Sequence, residues 1–204
     1  MNIQSKSAPL AGFDNAAFDS SRIFRYALDA MSRPGKIVDI DIPLPSPEGL
    51  NSATTAVLLT LADMDTPIWL SPEIKTIQAE THIRFHTGCE ITENPERATF
   101  AIAPANGDLS FLASLPAGNP EMPHLSTTLI LLVDGFEGQT PLQLTGPGIQ
   151  TTTSLSPTPV SAEFYPWAQA NQRLFPCGVD TFFAASSSLA ALPRSTRMEV
   201  PTCM

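Results

Sequence analysis

The chain has 204 residues, enough for one domain with a sizeable core. Only 15% of them are charged, against about 25% in an ordinary soluble chain, and prolines number 20. The formal net charge of −9 argues against a nucleic-acid surface, which needs clustered cations, and any anion site must be built locally from few arginines.

Residues 1–13 read as a loose, flexible arm, followed by a single domain over residues 14–204. From Asp14 the pattern is helical, with Phe18, Ile23, Phe24, Ala27, Leu28 and Met31 on one apolar face. Asp14, Ser20 or Ser21 is expected to cap it, and Ser32-Arg33-Pro34-Gly35 to stop it. Residues 37–42 alternate as a half-exposed strand does. Residues 51–62 are nearly all apolar or small and predict a helix buried on most sides. A short strand follows at 68–70. A helix at 73–82 leads into IRFHTGCEI, and a strand is expected at 98–103. Residues 108–115 suggest a short helix. The apolar run at 129–133 is the clearest strand, with 141–144 returning as its partner. A helix over 162–174 must hold Pro166 in its first turn. Strands at 179–185 and 189–192 close the domain. The alternation predicts an α/β fold with a mixed sheet.

Chemistry is sparsely advertised. Phosphate-loop, dinucleotide-loop, nucleophile-elbow and HExxH motifs are missing. The three lysines, Lys6, Lys36 and Lys75, lie in no context that suggests a Schiff-base amine. Cys89, Cys177 and Cys203 form neither a disulfide framework nor a zinc knuckle, and fit reduced thiols in a cytoplasmic protein. No apolar run has the length of a signal peptide or a membrane span. Cys177 reads as a small buried hydrophobe rather than a nucleophile.

Three stretches carry the candidates. In LTGPGIQTTT, at 144–153, two glycines flank a proline. Pro147 removes an N–H, and no Lys or Arg lies between Arg97 and Arg173, so it reads as a turn rather than an anion loop. In THIRFH, His82, Arg84 and His86 share a face if extended, and His82 and His86 do if helical. They can be ordinary histidines, a metal pair near Cys89, or an anion site of Arg84 and His86. In LPRSTRMEV, Arg194 and Arg197 bracket Ser195 and Thr196, a group able to hold phosphate or carboxylate. Asp180 can pair with one of those arginines, leaving a structural bridge or an interface patch as the other reading. The low charge likewise admits a surface covered by partners or a plain Ser/Thr-rich surface.

FRYALDAMSRPGKI, LNSATTAVLLTLADMDTPIWLS, IRFHT, PERATFAI, TTLILLV, LQLTGPGI, LFPCGVD and LPRSTRMEV occur in this order. Together they resemble the PhnH family of the bacterial carbon–phosphorus lyase machinery, from about residue 13 to 200. The resemblance implies a three-layer α/β/α sandwich similar to PLP-dependent transferases but without the cofactor lysine, and no cofactor. It implies a homodimer that joins PhnG, PhnI and PhnJ subunits. That assembly, with further help, transfers an alkylphosphonate to the ribose C1 of ATP, displacing adenine to give a ribose 1-phosphonate 5-triphosphate, and a separate iron–sulfur subunit cleaves the carbon–phosphorus bond. The family brings no established catalytic residue. A structural or interaction subunit is therefore expected. The alternative is a subunit binding a phosphonate or nucleotide anion through Arg194, Arg197, Ser195, Thr196, Asp180, Arg84 and His86. A free-standing PLP enzyme is a third reading, opposed by the lysine inventory.

Overall fold

Asn15, not Asp14, Ser20 or Ser21, opens the first helix, α1 (Ala16–Ser32), in a computed structural model that describes residues 8–199. Its side-chain oxygen accepts from the Phe18 N–H at 3.2 Å, and Asp19 reaches back to the Asn15 N–H at 3.0 Å. Ser20 is already inside the helix, donating to the Ala16 carbonyl one turn earlier at 2.5 Å. The helix stops at Ser32 as expected, and Gly35 turns the chain at φ +86.

The next strand, β1, pairs only over Val38–Asp39. Its alternation runs further, with Ile40, Ile42 and Leu44 buried and Asp39, Asp41 and Pro43 exposed. Pro43 and Pro45 lack the N–H a longer ladder needs. Asn51 caps α2 (Ser52–Leu61) by accepting from Thr54 N–H at 2.8 Å, and Ala53 through Leu58 are buried. After β2 (Ile68–Leu70), the third helix, α3 (Ile77–Thr87), starts later than 73 and runs past 82. Thr76 caps it, accepting from Ala79 N–H at 3.0 Å, and left-handed Gly88 ends it. IRFHT is therefore helical.

The strands β3 (Phe100–Pro104) and β4 (Thr128–Leu132) lie near their expected places. Between them only a 3-10 turn, Ser110–Ser114, forms where a short helix was expected. Then come β5 (Leu142–Thr145), β6 (Thr153–Leu155), α4 (Phe164–Asn171) with Pro166 in its first turn, β7 (Asp180–Ala184), β8 (Ser188–Leu192) and β9 (Arg197–Glu199).

The main sheet has six strands in the order β1-β8-β7-β4-β3-β2. Here β2, β3, β4 and β7 are parallel, and β8 runs antiparallel to β7 and β1. The mixed α/β sheet is as expected, but 141–144 does not return beside 129–133. Both edges of β4 are taken by β3 and β7, so β5 instead pairs with β6 and β9 in a small antiparallel sheet. The threonine run, where no strand was expected, leads into β6.

Strand alternation divides the core between the two faces of the main sheet. Leu70, Ile102, Ile130 and Phe182 pack with Ile23 of α1, Val57 of α2 and Ile83 of α3. Trp69, Leu129, Leu131 and Phe183 pack with Phe164 of α4 and with Leu142, Leu144, Leu155 and Met198 of the small sheet. Fully burying one such side chain contributes roughly 1.5–3 kcal/mol, which is why β4, buried on both faces, is a continuous apolar run.

The LTGPG stretch is the turn from β5 to β6. Gly146 and Gly148 have φ of +136 and +83. A Cβ on Gly148 would collide with the carbonyl oxygen of Ser32 at the end of α1. Gly148→Ala is expected to lower stability by at least about 1 kcal/mol, read as a fall in the urea midpoint at constant slope. An unchanged midpoint would show that this turn does not pack on α1.

Candidate functional site

The parallel pairing of β4 and β7 sets Thr128 against Asp180, the first residue of β7. The antiparallel return of β8 ends at Leu192 and brings Arg194 back beside Asp180. Arg194 Nε donates to both Asp180 carboxylate oxygens at 3.1 Å, and Nη2 to Oδ2 at 2.5 Å. Nη2 also donates to Ser126 Oγ, and Nη1 to the Pro123 carbonyl, each at 2.7 Å. The Arg194 backbone N–H donates to Asp180 Oδ1 at 2.8 Å. The side chains are 16% and 24% exposed. This is the Arg–Asp bridge read from the sequence, extended by Ser126 and Pro123, which sequence spacing had no means of placing. It fastens the closing segment to the sheet and leaves Arg194 little capacity for a ligand.

The remaining motif residues divide by strand alternation. Thr196 and Met198 point inward, each 2% exposed, and Thr196 Oγ1 meets no hydrogen-bond partner. Ser195 is half-buried and Arg197 exposed. They line a cleft of about 460 Å³ together with Arg194. Its other walls are Thr145, Gly146 and Pro147 of the β5–β6 turn, and Gln172 and Phe175 beyond α4. Gln172 Oε1 accepts from Met198 N–H at 2.8 Å, and Phe175 is 62% exposed. The turn and the arginine segment thus share one site because Arg197 pairs in register with Thr145 across β5 and β9. The turn reading holds. No Lys or Arg lies between Arg97 and Arg173 along the chain, yet Arg197 stands beside the turn in space.

Arg84 and His86 belong elsewhere. Both are on α3, which packs on the other face of the sheet, and no α3 residue lines the cleft. Arg84 bridges Glu80 at 3.3 Å. His86 Nε2 donates to the Leu10 carbonyl at 2.9 Å, and Gly12 packs on its ring. Of the expected arm, residues 8–13 therefore include a contact with α3, and 1–7 lie outside the described residues. His82 and His86 meet with ring centroids 4.5 Å apart. His82 is fully buried with neither ring nitrogen partnered. Burial, helped by His86, lowers it to about 4. Burial raises the Cys89 thiol, Cys177 is half-buried, and Cys203 lies outside the described residues. Among the described residues no three His, Cys, Asp or Glu side chains converge as metal ligands.

A second cleft, of about 390 Å³, sits at the carboxyl ends of β3 and β4, lined by Asn51, Pro104, Asn106, Leu132, Asp134 and Ser186 among others. Open α/β sheets commonly hold ligands at that end. Here its one charged lining residue is Asp134, and Asn51 is occupied with its cap and with the Ala184 carbonyl at 2.8 Å. No helix among the described residues is long and apolar enough to cross a membrane.

Comparison with known proteins gives a consistent result. A family model described as bacterial phosphonate metabolism protein (PhnH) matches residues 11–199. The chain is 34% identical over 187 residues to the alpha-D-ribose 1-methylphosphonate 5-triphosphate synthase subunit PhnH of Rhizobium meliloti (strain 1021), covering 92% of this chain and 94% of that one. It is 28% identical over 177 residues to a putative C-P lyase subunit protein, HtxG, of Stutzerimonas stutzeri, covering 87% and 84%.

Proposed function

The chain belongs to the PhnH family of bacterial phosphonate metabolism proteins, and from that membership we propose that it is a structural or interaction subunit of a carbon–phosphorus lyase system. Its part is to support the transfer of an alkylphosphonate to the ribose C1 of ATP, with loss of adenine, in a complex with PhnG, PhnI and PhnJ homologues. The observation that carries this reading is the near full-length similarity to a protein named as a synthase subunit. The site geometry supports it, because Arg194 and Asp180 are spent on holding the fold and Thr196 is turned inward.

The surface supports it too. Phe24 and Leu28, one turn apart on α1, are 47% and 51% exposed, on a chain of low charge. A homodimer and a cytoplasmic setting belong to the same proposal. So does the likeness to PLP-dependent transferases in three layers without cofactor. It is supported by a sheet buried on both faces, and by Lys36 and Lys75 being held in ion pairs with Asp29 and with Glu80 and Glu93.

Reconstitution tests the role. PhnG, PhnI and PhnJ homologues are incubated with ATP and methylphosphonate, with and without this chain, and released adenine is measured. Adenine release is expected to need the chain together with its partners. Turnover by the chain alone, or an equally active mixture lacking it, would overturn the proposal.

A further inference from the structure

Five of the eight arginines lie within ion-pair distance of a carboxylate: Arg22, Arg33, Arg84, Arg97 and Arg194. Among the described residues Arg25, Arg173 and Arg197 have no such partner. Arg25 stands exposed on α1. The other two border one groove. Arg197 and Gln172 line both the cleft under the β5–β6 turn and an adjoining hollow of about 320 Å³, which adds Arg173 and Glu199. Like charges lining one hollow repel, and a chain of net charge −9 has ample carboxylates with which to pair them. Two uncommitted guanidinium groups beside one concave surface therefore mark a place where an anion from outside completes the charge balance.

We propose that this groove is an oxyanion site and, resting on the proposed role in phosphonate metabolism, that its ligand is an organic phosphate or phosphonate. A guanidinium fork matches two oxygens of such a group, and Arg197 offers its fork from the first residue of β9. Arg173 approaches from the turn after α4. The Ser195 hydroxyl makes no hydrogen bond within the described residues and lines the same wall. Gln172 has its carboxamide oxygen fixed by the Met198 N–H, which leaves its N–H pair to donate. Gly146 closes the third side against Ser195, where a Cβ would stand 3.0 Å from the Ser195 carbonyl. At about 460 Å³ the cleft is larger than a lone phosphate needs. The exposed Phe175 ring on its rim offers an apolar surface to the organic part of the ligand. Arg194 also lines the cleft, with its guanidinium committed to Asp180, Ser126 and Pro123. The groove needs no partner subunit, so a failed titration would leave the assembly role standing.

The test is calorimetric titration of the isolated chain with ATP, methylphosphonate and inorganic phosphate, at low and physiological salt, beside Arg197→Ala, Arg173→Ala and Arg25→Ala. Saturable binding of at least one organic ligand at about millimolar concentration is expected. Arg197→Ala should weaken it about tenfold or more, Arg173→Ala less, and Arg25→Ala not at all. Arg197→Lys should recover only part of the loss, since it returns the charge without the fork. Tighter binding of ATP or methylphosphonate than of phosphate supports the organic ligand and says which one. Equal binding of all three by the wild type would overturn that part, leaving a bare oxyanion site. No saturation up to about 10 mM, or equal losses in Arg25→Ala and Arg197→Ala, would overturn the site itself. All three arginine positions are on the surface or in a turn, and thermal unfolding of each variant checks that its fold is kept.

Discussion

Arg194→Met is expected to destabilise the chain by about 3 kcal/mol, the low end of what stripping one partner from a buried ion pair costs. The side chain is 16% exposed and its guanidinium donates to Asp180, Ser126 and the Pro123 carbonyl. Removing it leaves the Asp180 carboxylate without its cation and two further acceptors unpaired. Lysine restores the charge but cannot reach three acceptors in one plane, so Arg194→Lys should recover a minor share. Asp180→Asn is expected to cost less in the Arg194→Met background than in the wild type, since the two residues act as one unit. Urea unfolding of the four proteins measures this. Additive effects would mean that the bridge contributes nothing as a pair.

The second large effect depends on pH. His82 is fully buried, unpartnered at both ring nitrogens, and lowered from 6.5 to about 4. The unfolded chain therefore binds the His82 proton more readily than the folded chain does. Stability from this group is complete above about pH 6.5 and falls as the pH drops towards 4. The total is about 3 kcal/mol, of which about 2 kcal/mol is gone at pH 5. Replacing His82 by leucine removes two buried groups that need partners, so His82→Leu should match or exceed the wild type at pH 7. The gap in its favour should widen by about 2 kcal/mol by pH 5. A gap that stays constant from pH 7 to pH 5 would mean that His82 is not held neutral by burial. Comparing the two proteins at each pH cancels the carboxylates they share.

What the sequence made legible follows from local physics. The α1 stop at Ser32 to Gly35, the buried α2 and the apolar β4 are written in proline, glycine and hydrophobic period, and each lies near its expected place. The α1 cap moved to Asn15 because several competent cap residues stand close together, and only hydrogen-bond reach chooses among them. α3 begins late because Thr76 caps it, a signal that apolar spacing alone does not weigh. β6 was missed because a threonine run between turn residues has weak alternation, and its strand state depends on pairing with β5.

The site was half legible. Asp180 was read from charge and spacing as a partner for either Arg194 or Arg197, and the partner is Arg194. The face that Thr196 turns inward was set by β9, a strand too short to recognise before its partner β5 is known. Arg84 and His86 looked like companions of the arginine segment only because residue type carries no address. The sheet places them on its opposite face. The β5–β6 turn and Arg197 are some 50 positions apart, and only the small sheet joins them.

The most direct test of the subunit role is the mass of the assembly formed when this chain is co-expressed with PhnG, PhnI and PhnJ homologues, measured by native mass spectrometry beside the chain alone. A complex containing this chain in fixed stoichiometry with its partners is expected. Recovery of a partner complex without it, with this chain running separately under every condition tried, would rule out the subunit role.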